Sequence, residues 1–138
     1  MARPWEFQLP TRVVFGRGAL LDIPHGLAVA IATPVNLCYN AEQCVAQYAE
    51  LADALGLSRD SPERKAAAFV DAITGLLQSV GLPDHAAIPP NAPDDLLDRL
   101  VENALAGTSV AVTLNPRKTD AAALKQLFQL ALQPREKV

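Results

Sequence analysis

The sequence predicts a mainly α-helical bundle with a short amino-terminal β-strand arm. Three observations carry this expectation: four apolar stripes at helical spacing with legible starts and stops, one alternating segment near the amino terminus, and no second strong strand to pair with it. The chain has 138 residues, 50% of them hydrophobic, which is enough for one ordinary core without staples. We expect the arm to occupy residues 1–23 and the helical domain residues 24–138, together forming one compact domain.

Residues 5–15 alternate, with Phe7, Leu9, Val13 and Phe15 on one parity, and this predicts an extended strand. Pro10 cannot donate to a ladder, so the strand belongs at an edge. Gly16 and Gly18 close it, and residues 19–23 form at most a helical turn before Pro24. Pro24 presets a helical φ and lacks an N–H that would have no partner there, so His25 falls in the first turn of a helix. A helix mouth favours the neutral, metal-ligating imidazole. Leu27, Ala28, Ile31, Val35 and Leu37 keep most of this helix buried, and Pro34 is expected to kink or end it.

Residues 41–55 place Cys44, Val45, Tyr48, Leu51, Ala52 and Leu55 at helical spacing and stop at Gly56. Ser61 caps the next helix, opened by Pro62 and Glu63, and its stripe is Phe69, Val70, Ile73, Leu76, Leu77 and Val80, ended by Gly81 and Pro83. Residues 82–92 have no periodicity and read as a surface crossing. Pro93, Asp94 and Asp95 start a helix whose Leu96, Leu97, Leu100, Val101, Ala104 and Leu105 face inward, closed by Gly107. Residues 108–114 have β-like composition and are expected to run as extended coil. Thr119 would cap the last helix, lined by Ala123, Leu124, Leu127, Phe128, Ala131 and Leu132 up to Pro134.

A net charge of -3 with no basic cluster argues against nucleic acid or an anionic membrane as partner. Cys38 and Cys44 have no second Cys/His pair to complete a zinc site, so both are expected to be buried thiols in a reducing cytosol. The first ten residues contain no apolar stretch of the signal-peptide kind, and no run approaches the length of a membrane span; a cytoplasmic location is expected.

His25, Gly26, Ala30, Pro34, Tyr39 and Asn40 match the spacing H-G-x3-A-x3-P-x4-[FY]-N, and this run resembles the signature of the iron-dependent alcohol dehydrogenases. Val29 departs from that pattern, which often has asparagine there. The segment from Phe7 to Gly18 resembles the first strand of the same family, and Asn115, Pro116, Arg117 and Thr119 resemble the N-P-R-x-x-T turn before its final helix. The resemblance implies an all-helical carboxyl-terminal domain and makes His25 the last of four metal ligands. It also implies a nucleotide-binding sheet with a G-G-G-S phosphate loop, an aspartate and two further histidines. None of these can be placed here, because the seven glycines are scattered and the only other histidine is His85.

His25 alone cannot hold iron or zinc, since three or more protein ligands are needed; a local structural role is the favoured reading. Asp22 is separated from it by Pro24, which breaks any common helical face. Asp94, Asp95 and Asp98 read as a solvated face. Ser61, Ser79 and Ser109 have no base and orienting carboxylate that the sequence brings together. Arg117 could take an anion, but an arginine tying the turn to an acidic neighbour is the commoner outcome.

The resulting expectation is a truncated dehydrogenase-like chain, inactive alone, with an assembly, regulatory or vestigial role and no catalytic or cofactor-binding residues of its own. The alternative is a metal-binding component of an NAD(P)-linked oxidoreductase, with a separate nucleotide-binding subunit supplying the other ligands of iron or zinc around His25. The unpaired strand further predicts a homo-oligomer joined through it.

Overall fold

Residues 25–57, 59–88, 90–107 and 112–134 are described by the computed structural model. They form five α-helices and no strand: α1 (His25–Asn40), α2 (Val45–Ala54), α3 (Pro62–Ser79), α4 (Leu96–Gly107) and α5 (Ala121–Leu132). The mainly helical expectation therefore holds. The amino-terminal strand, Asp22, Ser109 and the oligomer contact assigned to the strand lie outside the described residues.

The helices pack as two pairs joined by α1. Backbone-close packing links α2 with α3, α4 with α5, and α1 with α3 and with α5. In the first pair, Cys44, Tyr48, Ala52, Ala66, Phe69 and Val70 form a core cluster, flanked by Leu37, Ala41, Val45, Leu57 and Ile73. In the second, Leu96, Leu100 and Leu132 cluster, with Ala86, Ala92, Leu97 and Phe128 against them. Ala28, Ile31 and Val35 bury the inner side of α1. Each pair is also clipped at its surface, by Lys65 Nζ to Asp53 Oδ1 at 2.7 Å and by Lys125 Nζ to Asp98 Oδ1 at 2.5 Å.

The ends of α2 and α3 follow from single residues. Ser61 accepts a hydrogen bond from the Arg64 N–H at 3.3 Å, and Pro62 occupies the first helical position, where a missing N–H costs nothing. Gly56 and Gly81 have φ of 72° and 75°, the left-handed conformation that glycine adopts without a Cβ clash. The chain then folds back to satisfy orphan carbonyls: Gly56 N–H bonds Asp53 O and Leu57 N–H bonds Ala52 O, while Gly81 N–H bonds Gln78 O and Leu82 N–H bonds Leu77 O.

Several expectations are corrected. Pro34 does not end the first helix, which runs through it to Asn40. The second helix starts at Val45 rather than at residue 41, because the Gln43 and Cys44 N–H groups both turn back to the Asn40 carbonyl at 3.0 Å. Cys44 is buried but Cys38 is exposed, since it sits on the outward side of the last turn of α1. Leu76 and Val80 are 58% and 63% exposed instead of lining a core: α3 has 18 residues against 10 in α2, and its distal end outruns its partner. Leu51, Leu55 and Leu105 are exposed as well. Val112 and Thr113 are helical rather than extended, and the Asn115 N–H returns to the Val112 carbonyl.

Candidate functional site

The two motif-bearing segments meet at the end of α1. Asn40 is the only buried polar residue among the described ones, 8% exposed, and its amide faces that of Asn115. Asn40 Nδ2 donates to Asn115 Oδ1 at 2.9 Å, and Asn115 Nδ2 donates back to Asn40 Oδ1 at 2.9 Å. The same Asn115 nitrogen also reaches the Arg117 carbonyl at 2.7 Å and Thr119 Oγ1 at 3.2 Å. Its two N–H groups are thus shared among three acceptors, which holds the 115–119 turn closed around one side chain.

Tyr39 supplies the second layer. Its hydroxyl donates to the Lys118 carbonyl at 3.1 Å, and Thr119 Oγ1 lies 3.4 Å from it while donating to the Arg117 carbonyl at 2.9 Å. The Arg117 guanidinium lies 4.5 Å from the centre of the Tyr39 ring and donates to the Tyr39 carbonyl at 3.0 Å. That carbonyl is one of the last in α1, where no helical N–H is available and a cation is favoured. Glu42 Oε2 is 3.6 Å away, but both partners are well exposed, so this ion pair is the weakest part of the set. The acidic neighbour foreseen for Arg117 is present, yet the ring and carbonyl of Tyr39 are what hold the arginine. The arrangement is a latch whose donors are taken up within the protein.

Thr119 does not cap the last helix. Asp120 does, its Oδ1 accepting the Ala123 N–H at 2.8 Å, while the Thr119 hydroxyl is drawn into the latch. Neighbouring Thr and Asp are both good caps, and the sequence alone does not rank them.

His25 is the first residue of α1, about 22 Å from the latch by helical rise. Among the described residues no group of three or more His, Cys, Asp or Glu side chains converges, so they do not fit a metal centre of their own. His85 pairs with the adjacent Asp84, Nδ1 to Oδ1 at 2.6 Å, away from either motif in sequence. The solvated face is as foreseen: Asp95 binds Arg99 at 2.9 Å, Asp98 binds Lys125, and Asp94 is exposed. Ser61 serves as a cap, and Ser79 donates to the Leu76 carbonyl at 2.8 Å. Among the described residues no buried side-chain polar atom lacks a partner. No described helix is long and apolar enough to cross a membrane.

The Asn40–Asn115 pair was not foreseen as a contact. Asn40 closes the first motif and Asn115 opens the second, and that coincidence is the signal the sequence offers.

Comparison with known proteins gives one family. Residues 12–132 match the model described as the Fe-containing alcohol dehydrogenase family, C-terminal. The chain is similar to the NADPH-dependent butanol dehydrogenase of Clostridium saccharobutylicum, 24% identical over 119 residues that make up 81% of this chain and 29% of that protein. It is also similar to the lactaldehyde reductase of Escherichia coli (strain K12), 30% identical over 116 residues, 83% of this chain and 30% of that protein. The chain therefore spans less than a third of the length of these curated relatives. No solved structure matches it significantly.

Proposed function

This chain belongs to the Fe-containing alcohol dehydrogenase family, and on that premise we propose that these residues act as its helical carboxyl-terminal part without catalytic competence of their own. The role is then one of assembly or regulation, or is vestigial. The observation that carries this reading is the extent of the match: 12–132 aligns to the carboxyl-terminal model, and the relatives are covered for only 29% and 30% of their length. Hydride transfer needs a phosphate-binding turn for the dinucleotide and a group that polarises the substrate, and the 138 residues offer no glycine-rich turn for the first. The test is an assay of the purified chain with added iron or zinc, NAD or NADP, and 1-butanol or propane-1,2-diol. We expect no cofactor reduction. Reduction that is abolished by His25→Ala overturns the proposal.

A second reading is supported by the placement of His25 as the opening residue of α1, the helix that carries the rest of the signature. In it, a separate nucleotide-binding chain supplies the remaining ligands, and iron or zinc binds between the two. Elemental analysis separates the readings: one metal per chain, appearing only with such a partner and lost in His25→Ala, favours the second.

We also propose a homo-oligomer formed through the amino-terminal segment, on the alternation of Phe7, Leu9, Val13 and Phe15. Deleting residues 2–15 should give a monomer in sedimentation. A full-length protein that is monomeric at high micromolar concentration removes the idea.

A further inference from the structure

The two helix pairs keep separate core clusters, one built on Tyr48 and Phe69 and the other on Leu96, Leu100 and Leu132. Among the described helices, neither α2 nor α3 packs backbone-close against α4 or α5; only α1 touches a member of each pair. The polar contacts that cross from the α1 end to the segment leading into α5 are those of the latch, with partners 75 to 80 positions apart in the chain. Hydrogen bonds between such distant segments are made only when the α4/α5 pair is docked on α1.

We propose that the latch between Tyr39–Asn40 and residues 115–119 is a conformational lock: when it opens, the α4/α5 pair leaves α1 as a unit while α2/α3 stays packed. The chemistry of the lock favours two states over a gradual loosening. Asn40 and Asn115 satisfy each other's amides, so parting them leaves one buried amide without donor or acceptor. Arg117 gives up the Tyr39 carbonyl and ring in the same movement, because both belong to one residue. The clip from Lys125 to Asp98 is internal to the departing pair, and that from Lys65 to Asp53 is internal to the pair that remains, so neither opposes the separation. This division matches the way proteins open in contiguous cooperative units rather than residue by residue.

The test is hydrogen exchange read by mass spectrometry on the full chain, wild type against Asn115→Ala and against Arg117→Met, the latter keeping the apolar stem while removing the guanidinium. The expected result is faster exchange in peptides covering α4 and α5, by about tenfold for Asn115→Ala and less for Arg117→Met, with peptides of α2 and α3 changed by less than about twofold. Equal acceleration in both pairs, or no change in either, overturns the proposal. Failure of both variants to fold would show that the pairs are not separable and overturns it equally.

Discussion

Tyr48 and Phe69 meet ring to ring across the α2–α3 contact, with centroids 5.3 Å apart and planes inclined at 49°. The spacing is within the range in which aromatic pairs attract, and the tilt avoids the unfavourable face-to-face overlap. Phe69 is 8% exposed within the first cluster, so truncating it leaves a cavity that its already packed neighbours fill only in part. Phe69→Ala should lower stability by about 3–5 kcal/mol in urea unfolding followed by circular dichroism. A loss below about 1 kcal/mol would place the core elsewhere.

The same tyrosine predicts behaviour in alkali. Burial, together with the nearby Cys44 and Cys38 thiols, pushes the Tyr48 hydroxyl above its ordinary value. A group that holds its proton more tightly when folded contributes stability that is complete below the unfolded value of about 10 and lost as pH rises through the folded one. Stability should therefore fall above about pH 10, and Tyr48→Phe should reduce that loss without changing stability near neutrality by as much. Matched alkaline unfolding curves for the two proteins would refute the assignment.

Burial separates residues that look alike in the sequence. Leu100 is 5% exposed in the second cluster, whereas Leu76 is 58% exposed on the overhang of α3. Leu100→Ala should cost about 2–5 kcal/mol and Leu76→Ala less than about 0.5 kcal/mol. Ile73, partly buried against the first cluster, should fall between them. Chemical denaturation of the three variants under one condition is sufficient.

Helix ends give a further pair. Asp120→Ala removes the acceptor of the Ala123 N–H and should cost about 0.5–2 kcal/mol, with faster exchange of that amide by NMR. Gly81→Ala meets no steric neighbour, yet its φ of 75° alone should make it unfavourable by about 1 kcal/mol. A neutral result in thermal melting at Gly81 would mean that the turn relaxes.

Much of this was legible in the sequence because local chemistry decided it. Ser61 with Pro62, and Gly56 and Gly81, mark helix ends by properties of one residue and its own backbone, which tertiary packing does not override. What was not legible depends on lengths and partners. The Leu76 and Val80 stripe continues past the end of α2, a fact about another helix. Cys38 and Cys44 differ in burial because the chain turns between them at residues 41–43. Thr119 loses the capping role because its hydroxyl donates to the Arg117 carbonyl two residues back and sits beside the hydroxyl of Tyr39, 80 positions away in the chain. The latch itself belongs to the same class: each half is a short motif, and only the fold brings Asn40 to Asn115.

Pro34 lies within α1 and has no N–H to offer the carbonyl of Ala30, one turn earlier. The helix that joins the two pairs therefore carries one break in its own hydrogen-bond ladder, at mid-length. Its distal half is moored at Tyr39 and Asn40. Its proximal half begins with His25 and crosses a point where one rung of the helical ladder is missing. A twist applied at the moored end would meet its least resistance at that rung, before it reached the turns that open with His25.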